Sequence, residues 1–171
     1  RDPDFVPVGS KFAGDFKNGG SGFTVATPVA TGKYWYHARF RTHSKIDNDV
    51  NTDGSLIRFY TAADEFIGSL DVLDGNYRLM SETGTTANIS NLNPDTNYVM
   101  DISLDISGGD YTMELYFGGT LQATLTWTST LARPAIAIFD FNDTTDALAG
   151  GDSTWYCSEV IVTDGESTIG W

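Results

Sequence analysis

The chain predicts an all-β fold, a two-sheet antiparallel β-sandwich, and three observations carry that expectation. Polar and apolar residues alternate from Tyr34 onward, turn-forming residues recur about every 8 to 12 positions, and there is almost no helical pattern in that stretch. Closely spaced antiparallel strands bury a core only as two packed sheets or a closed barrel, which leaves function to an exposed sheet face or to loops. The 171 residues suffice for one domain, and 13% aromatics with 18 glycines favour strands and tight turns over helices.

Residues 1–21 form an N-terminal arm or edge segment, with Phe5, Val6, Val8, Phe12 and Phe16 as its packing residues and Asn18-Gly19-Gly20-Ser21-Gly22 as a flexible turn cluster. The β-sandwich domain is expected over residues 22–171. Its first clear strand is Tyr34–Arg41, where Tyr34, Tyr36, Ala38 and Phe40 point one way and Trp35, His37, Arg39 and Arg41 the other. Leu56–Thr61 and Glu65–Val72 follow, joined by Ala62-Ala63-Asp64, and Asp74-Gly75-Asn76 turns the chain into Tyr77–Glu82. Tyr98, Met100, Ile102, Leu104 and Ile106 share one face of the next strand, opposite Val99, Asp101, Ser103, Asp105 and Ser107. Gly108-Gly109 ends it. Tyr111–Phe117 and Leu121–Trp127 make a hairpin about Gly118-Gly119, whose lack of Cβ permits positive φ. Pro134–Phe141 and Trp155–Thr163 complete about ten strands.

A net charge of −13 repels polyanions and excludes nucleic acid as a natural partner. The single cysteine, Cys157, rules out an intrachain disulfide and reads as an inert thiol in a strand. No apolar run approaches the length of a membrane-spanning helix, so no membrane insertion is expected. A start at Arg1 rather than Met is expected of a processed chain or of part of a longer one.

The strand Tyr34-Trp35-Tyr36-His37-Ala38-Arg39-Phe40, the hairpin Tyr111–Leu121 and the closing strand Trp155–Thr163 together resemble the concanavalin A-like, or laminin-G-like, jelly roll over residues 22–165. The ending Ser158–Trp171 is similar to the close of jelly-roll domains in tailed-bacteriophage structural proteins. The resemblance implies a virion surface component of head-fibre, decoration or tail-fibre type. It also implies self-assembly with further virion proteins and contact with host glycans.

Two residue sets carry candidate chemistry. Trp35, His37, Arg39 and Arg41 put an aromatic plate and fork donors on one strand face, the combination that stacks on a sugar ring and hydrogen-bonds its hydroxyls, with the cations favouring an acidic glycan. The alternative is that Trp35 packs and the arginines pair with Asp101, Asp105 or Glu114 on adjoining strands. Asp47, Asp49, Asn51 and Asp53 place oxygen-bearing side chains at alternate positions before Gly54, a pattern suited to calcium. Against it, Tyr60 stands where an EF-hand loop carries its bidentate Glu, and a plain acidic turn has the same composition.

Catalytic patterns are sparse. The nearest acidic set is Glu65, Asp71 and Asp74, without the Glu-x-Asp-x-x-Glu run of glycoside hydrolases on this jelly roll. His37 and His43, the two histidines, are six apart and lack zinc-site pairing, and there is no nucleophile elbow, phosphate loop or Cys-x-x-Cys. Asn88-Ile89-Ser90 and Asn142-Asp143-Thr144 are sequons at a number chance supplies. The sequence therefore predicts a non-enzymatic surface domain, on a virion or otherwise extracellular, with glycan binding as its candidate activity. The alternatives are a secreted carbohydrate-binding or laminin-G-like adhesion module and, below that, a glycoside hydrolase or lyase.

Overall fold

A computed structural model describes residues 22–26, 32–42, 54–73, 76–90, 92–93, 95–107, 109–140 and 155–164. Among the described residues eleven strands follow in chain order: β1 (Gly22–Ala26), β2 (Lys33–Thr42), β3 (Gly54–Tyr60), β4 (Phe66–Leu73), β5 (Asn76–Ser81), β6 (Thr86–Asn88), β7 (Asn97–Asp105), β8 (Asp110–Phe117), β9 (Thr120–Thr128), β10 (Ile136–Asp140) and β11 (Trp155–Asp164). They form a six-stranded sheet, β1-β10-β3-β4-β5-β6, and a five-stranded sheet, β11-β2-β7-β8-β9. Every pairing is antiparallel, so the expected two-sheet sandwich is the fold observed.

Two strands escaped the sequence reading. β6 has three residues, too few for a two-residue period to register, and it exists because Arg78, Leu79 and Met80 of β5 offer it a free edge. β1 follows the glycine-rich cluster directly and pairs with β10, some 110 residues later in the chain, where local pattern says nothing of a partner. The expected arm at 1–21 lies outside the described residues.

Turn chemistry behaves as its residues dictate. Gly118 and Gly119 take φ of 54° and 77°, the left-handed pair of a two-residue hairpin whose twist matches the flanking strands, and Phe117 pairs with Thr120 across it. Between β3 and β4, Asp64 sits at φ 63°, held by its N–H donating to the Thr61 carbonyl at 3.1 Å. The Thr61 hydroxyl accepts from the Ala63 and Glu65 N–H groups, both at 3.2 Å, so this turn carries its own polar frame.

The core lies between the inward rows. Tyr34, Tyr36, Ala38 and Phe40 of β2, with Ile102, Leu104, Met113 and Leu115 of β7 and β8, meet Ile57, Phe59, Leu70, Tyr77 and Leu79 of the six-stranded sheet. Burial of each large apolar side chain contributes about 1.5–3 kcal/mol. The Tyr36 and Phe59 rings, on opposite sheets, lie 4.7 Å apart at 53°. Among the described residues no helix is long and apolar enough to cross a membrane.

Candidate functional site

With one face of each sheet committed to the core, the outward faces are left for contact. On the five-stranded sheet the register runs Ile161–His37–Asp101–Tyr116–Leu121 across all five strands, and Thr163–Trp35–Ser103–Glu114–Thr124 beside it. Ile161 and Leu121, 38% and 50% exposed, are the exposed large apolar residues among those described, and they end the first row at opposite sheet edges.

Between those ends the side chains lock together. His37 is 0% exposed, with Nδ1 2.7 Å from Asp101 Oδ1 and Nε2 3.2 Å from Thr163 Oγ1. Trp35 is 6% exposed, stacked against His37 at 6.2 Å and 9° and tilted against Tyr116 at 5.7 Å. Lys33 Nζ stands 4.8 Å from the Trp35 ring centroid and donates to Glu114 Oε2 at 2.6 Å, an oxygen that also accepts from the Ser103 hydroxyl at 3.2 Å.

Burial alone would raise the Glu114 carboxyl, but the hydrogen bond and charge of Lys33, with the hydroxyls of Tyr116 and Ser103, bring it below its ordinary value. Tyr116 moves up, chiefly through burial and then through the Glu114 charge beside it, so it remains a phenol.

The four expected glycan residues therefore share one outward face, in a different role for the aromatic. The Trp35 ring is covered, and the half-buried aromatic on this face is Tyr116. Arg39 is also nearly buried, opposite Val99 on β7 and Glu159 on β11. Arg41 donates from Nε and Nη2 to Asp95 Oδ1 at 3.1 and 2.9 Å. Of the partners anticipated for the arginines, Asp101 serves His37, Glu114 serves Lys33 and Asp105 accepts from the Ser107 N–H and hydroxyl. Lys33 and Tyr116 were missed by sequence reasoning, since each reaches the group only through cross-strand register.

The calcium set Asp47, Asp49, Asn51 and Asp53 lies outside the described residues, as do His43, Asp74 and the Asn142 sequon. Among the described residues no three His, Cys, Asp or Glu side chains gather to hold a metal. Asn88 is exposed on β6. Glu65 is exposed and accepts from the Thr61 hydroxyl at 3.1 Å, whereas Asp71 is nearly buried six residues further along. At ~3.3 Å per residue the two are ~20 Å apart along the strand, well beyond the roughly 5–9.5 Å that lets two carboxyls flank one glycosidic bond.

The six-stranded sheet has its own outward polar group, also absent from the sequence reading. Since Ile57, Phe59, Leu70, Tyr77 and Leu79 point inward, their neighbours Arg58, Ser69, Asp71, Arg78 and Met80 point out. Register sets Ser69 between Arg58 and Met80, and Asp71 opposite Arg78.

No protein-family model matches the chain, and no curated protein sequence matches it. Solved structures do. A sialidase superposes on 88% of this chain with a TM-score of 0.57 and 10% identity. A Caenorhabditis elegans galectin covers 91% of it at 0.54 and 13%, and an alginate lyase of polysaccharide lyase family 7 covers 84% at 0.50 and 13%. The fold is the concanavalin A-like jelly roll. The chain spans 16% of the sialidase, 63% of the lyase and the whole length of the galectin, and at these identities the likeness is one of fold. That fold carries both lectins and glycan-directed enzymes.

Proposed function

We propose that this domain binds saccharides without turning them over, through the outward face of the five-stranded sheet. The observation that carries the reading is the fixed group Lys33–Glu114–Ser103–Tyr116 beside Trp35: a cation, a carboxylate, a hydroxyl and an aromatic edge held in place before any ligand arrives. Sugar recognition needs such preorganised donors and acceptors next to an aromatic surface. In this arrangement Trp35 and His37 form the floor beside the group, Arg39 and Arg41 lie further along the same face of β2, and Tyr116, Glu114 and Lys33 meet the ligand. The row from Ile161 to Leu121 crosses four strand spacings, about 19 Å, room for an extended oligosaccharide lying across the strands.

The electrostatics support binding over hydrolysis. A glycosidase acid needs a raised pKa so that it holds a proton at neutral pH, and Glu114 is shifted down by its partners, while Asp101 is committed to His37. The galectin, sialidase and lyase likenesses supply a fold used on carbohydrates. The similarity of Ser158–Trp171 to phage structural domains supports display in many copies on a particle, where weak sites add through multivalency.

A glycan array read with the wild type, Tyr116→Ala and Trp35→Ala tests the binding. Wild-type binding lost in Tyr116→Ala, with the fold intact by circular dichroism, is the expected result; no binding to any saccharide by the wild type ends the reading. Light scattering tests the display, where a strict monomer at high concentration argues against multi-copy assembly.

A further inference from the structure

The outward face of the six-stranded sheet holds a polar group that the proposed saccharide face does not use. Ser69 is 0% exposed on β4, and its hydroxyl has no hydrogen-bond partner, although a buried hydroxyl left unmatched is costly enough that folded proteins nearly always match it. Arg78 of β5 lies diagonal to it, two residues beyond Met80 in the register and on the same face. The Arg78 guanidinium is half-buried, its Nε is sealed from solvent without an acceptor, and its Nη2 donates only to the Met80 thioether at 3.9 Å, a weak contact. Among the described residues no carboxylate pairs with it. Arg58, directly across β3 from Ser69, adds a second guanidinium on the other side.

From this we infer that Ser69 and Arg78, flanked by Arg58, form a site for a carboxylate-bearing ligand. A planar carboxylate accepts two parallel N–H bonds from a guanidinium fork and has a further lone pair for the Ser69 hydroxyl, so one group satisfies both unmatched donors. Asp71, nearly buried and directly opposite Arg78, disfavours a second negative charge on that ligand, and the planar guanidinium fork matches a carboxylate edge. Met80, opposite Ser69, is unbranched and half-buried, a side chain able to swing aside and open the hydroxyl to the ligand. The site is independent of the saccharide-binding face, from which the whole sandwich separates it.

Isothermal titration with glucuronate, glucose, acetate and inorganic phosphate tests the inference on the intact chain. Glucuronate should bind and glucose should not; acetate binding as well as glucuronate assigns the affinity to the carboxylate alone, and weaker acetate binding assigns part to the sugar. Ser69→Ala should leave the free protein equally or more stable, because it deletes an unmatched hydroxyl, yet weaken glucuronate about tenfold. Arg78→Gln should abolish binding while leaving glycan binding at Tyr116 unchanged. Glucose binding of equal affinity that Arg78→Gln also removes, tighter binding of phosphate, or glucuronate affinity unchanged in both variants overturns the site.

Discussion

His37 and Asp101 face each other across β2 and β7, with Nδ1 2.7 Å from Oδ1, and the far nitrogen of the same fully buried ring lies 3.2 Å from Thr163 on β11. One imidazole thus ties three adjacent strands on the sheet's outward face. Asp101→Ala leaves a buried ring nitrogen unmatched and should cost about 1–3 kcal/mol. Asp101→Asn, which keeps a hydrogen-bonding group there, should cost less. Urea denaturation reads both, and equal midpoints for wild type and Asp101→Ala would show that the bridge contributes nothing.

Glu114 gives the acid limb of stability a direction. Its folded-state pKa lies below the ordinary 4.5, so the unfolded chain takes up the proton first as pH falls. Its contribution is complete above the ordinary value and disappears as pH drops through the depressed one. Glu114→Gln should therefore be less stable than wild type at neutral pH and lose less between pH 7 and 3. Asp105, lowered mainly by the Ser107 hydroxyl and N–H, acts with the same sign and is retained in the variant, so some acid dependence persists. Parallel curves of urea midpoint against pH would refute the assignment to Glu114.

Gly68 is fixed by the closeness of the two sheets. A Cβ there would lie 2.8 Å from Met113 Cε on the facing sheet and 2.8 Å from the Met80 carbonyl oxygen on the next strand. The methionine tip can move; the carbonyl belongs to the β4–β5 ladder. Gly68→Ala should destabilise by about 1–3 kcal/mol. Adding Met113→Val should recover only part, since it relieves one of the two clashes. Full recovery in the double variant would place the whole constraint on the side chain.

Much of this architecture was legible because its signals are local. Tyr34–Arg41 alternates through eight residues, and Gly118-Gly119 between two alternating runs specifies a hairpin on its own. What remained hidden is register. Arg41 finds Asp95 across 54 positions, Lys33 finds Glu114 across 81, and neither partner could be chosen from acids of equal standing nearby in sequence. Trp35 reads as an outward aromatic on a wet face, and outward it is; Lys33 above it and Tyr116 beside it, from two strands away, cover the ring. The same holds for Ser69, unremarkable in a strand until Arg58 and Arg78 are set around it by pairing.

Tyr111 carries the last prediction, on the link between β9 and β10. Its ring sits in the core at 5.6 Å and 65° from Trp127, while its hydroxyl donates to the Leu131 carbonyl at 2.7 Å and the Ala132 carbonyl at 2.8 Å. Burial, followed by the nearby Glu82 charge, pushes the phenol up, so it stays protonated and remains a donor across the neutral range. Tyr111→Phe keeps the ring packing and deletes only the hydroxyl, leaving two carbonyls without their donor. The variant should lose about 1–2 kcal/mol, and amide hydrogen exchange should quicken across residues 129–135 while β8 keeps its protection. Unchanged exchange in that stretch would mean that the link is held by its remaining contacts, Leu131 N–H to the Ser129 hydroxyl at 3.2 Å and Ala135 N–H to the Tyr60 carbonyl at 2.8 Å.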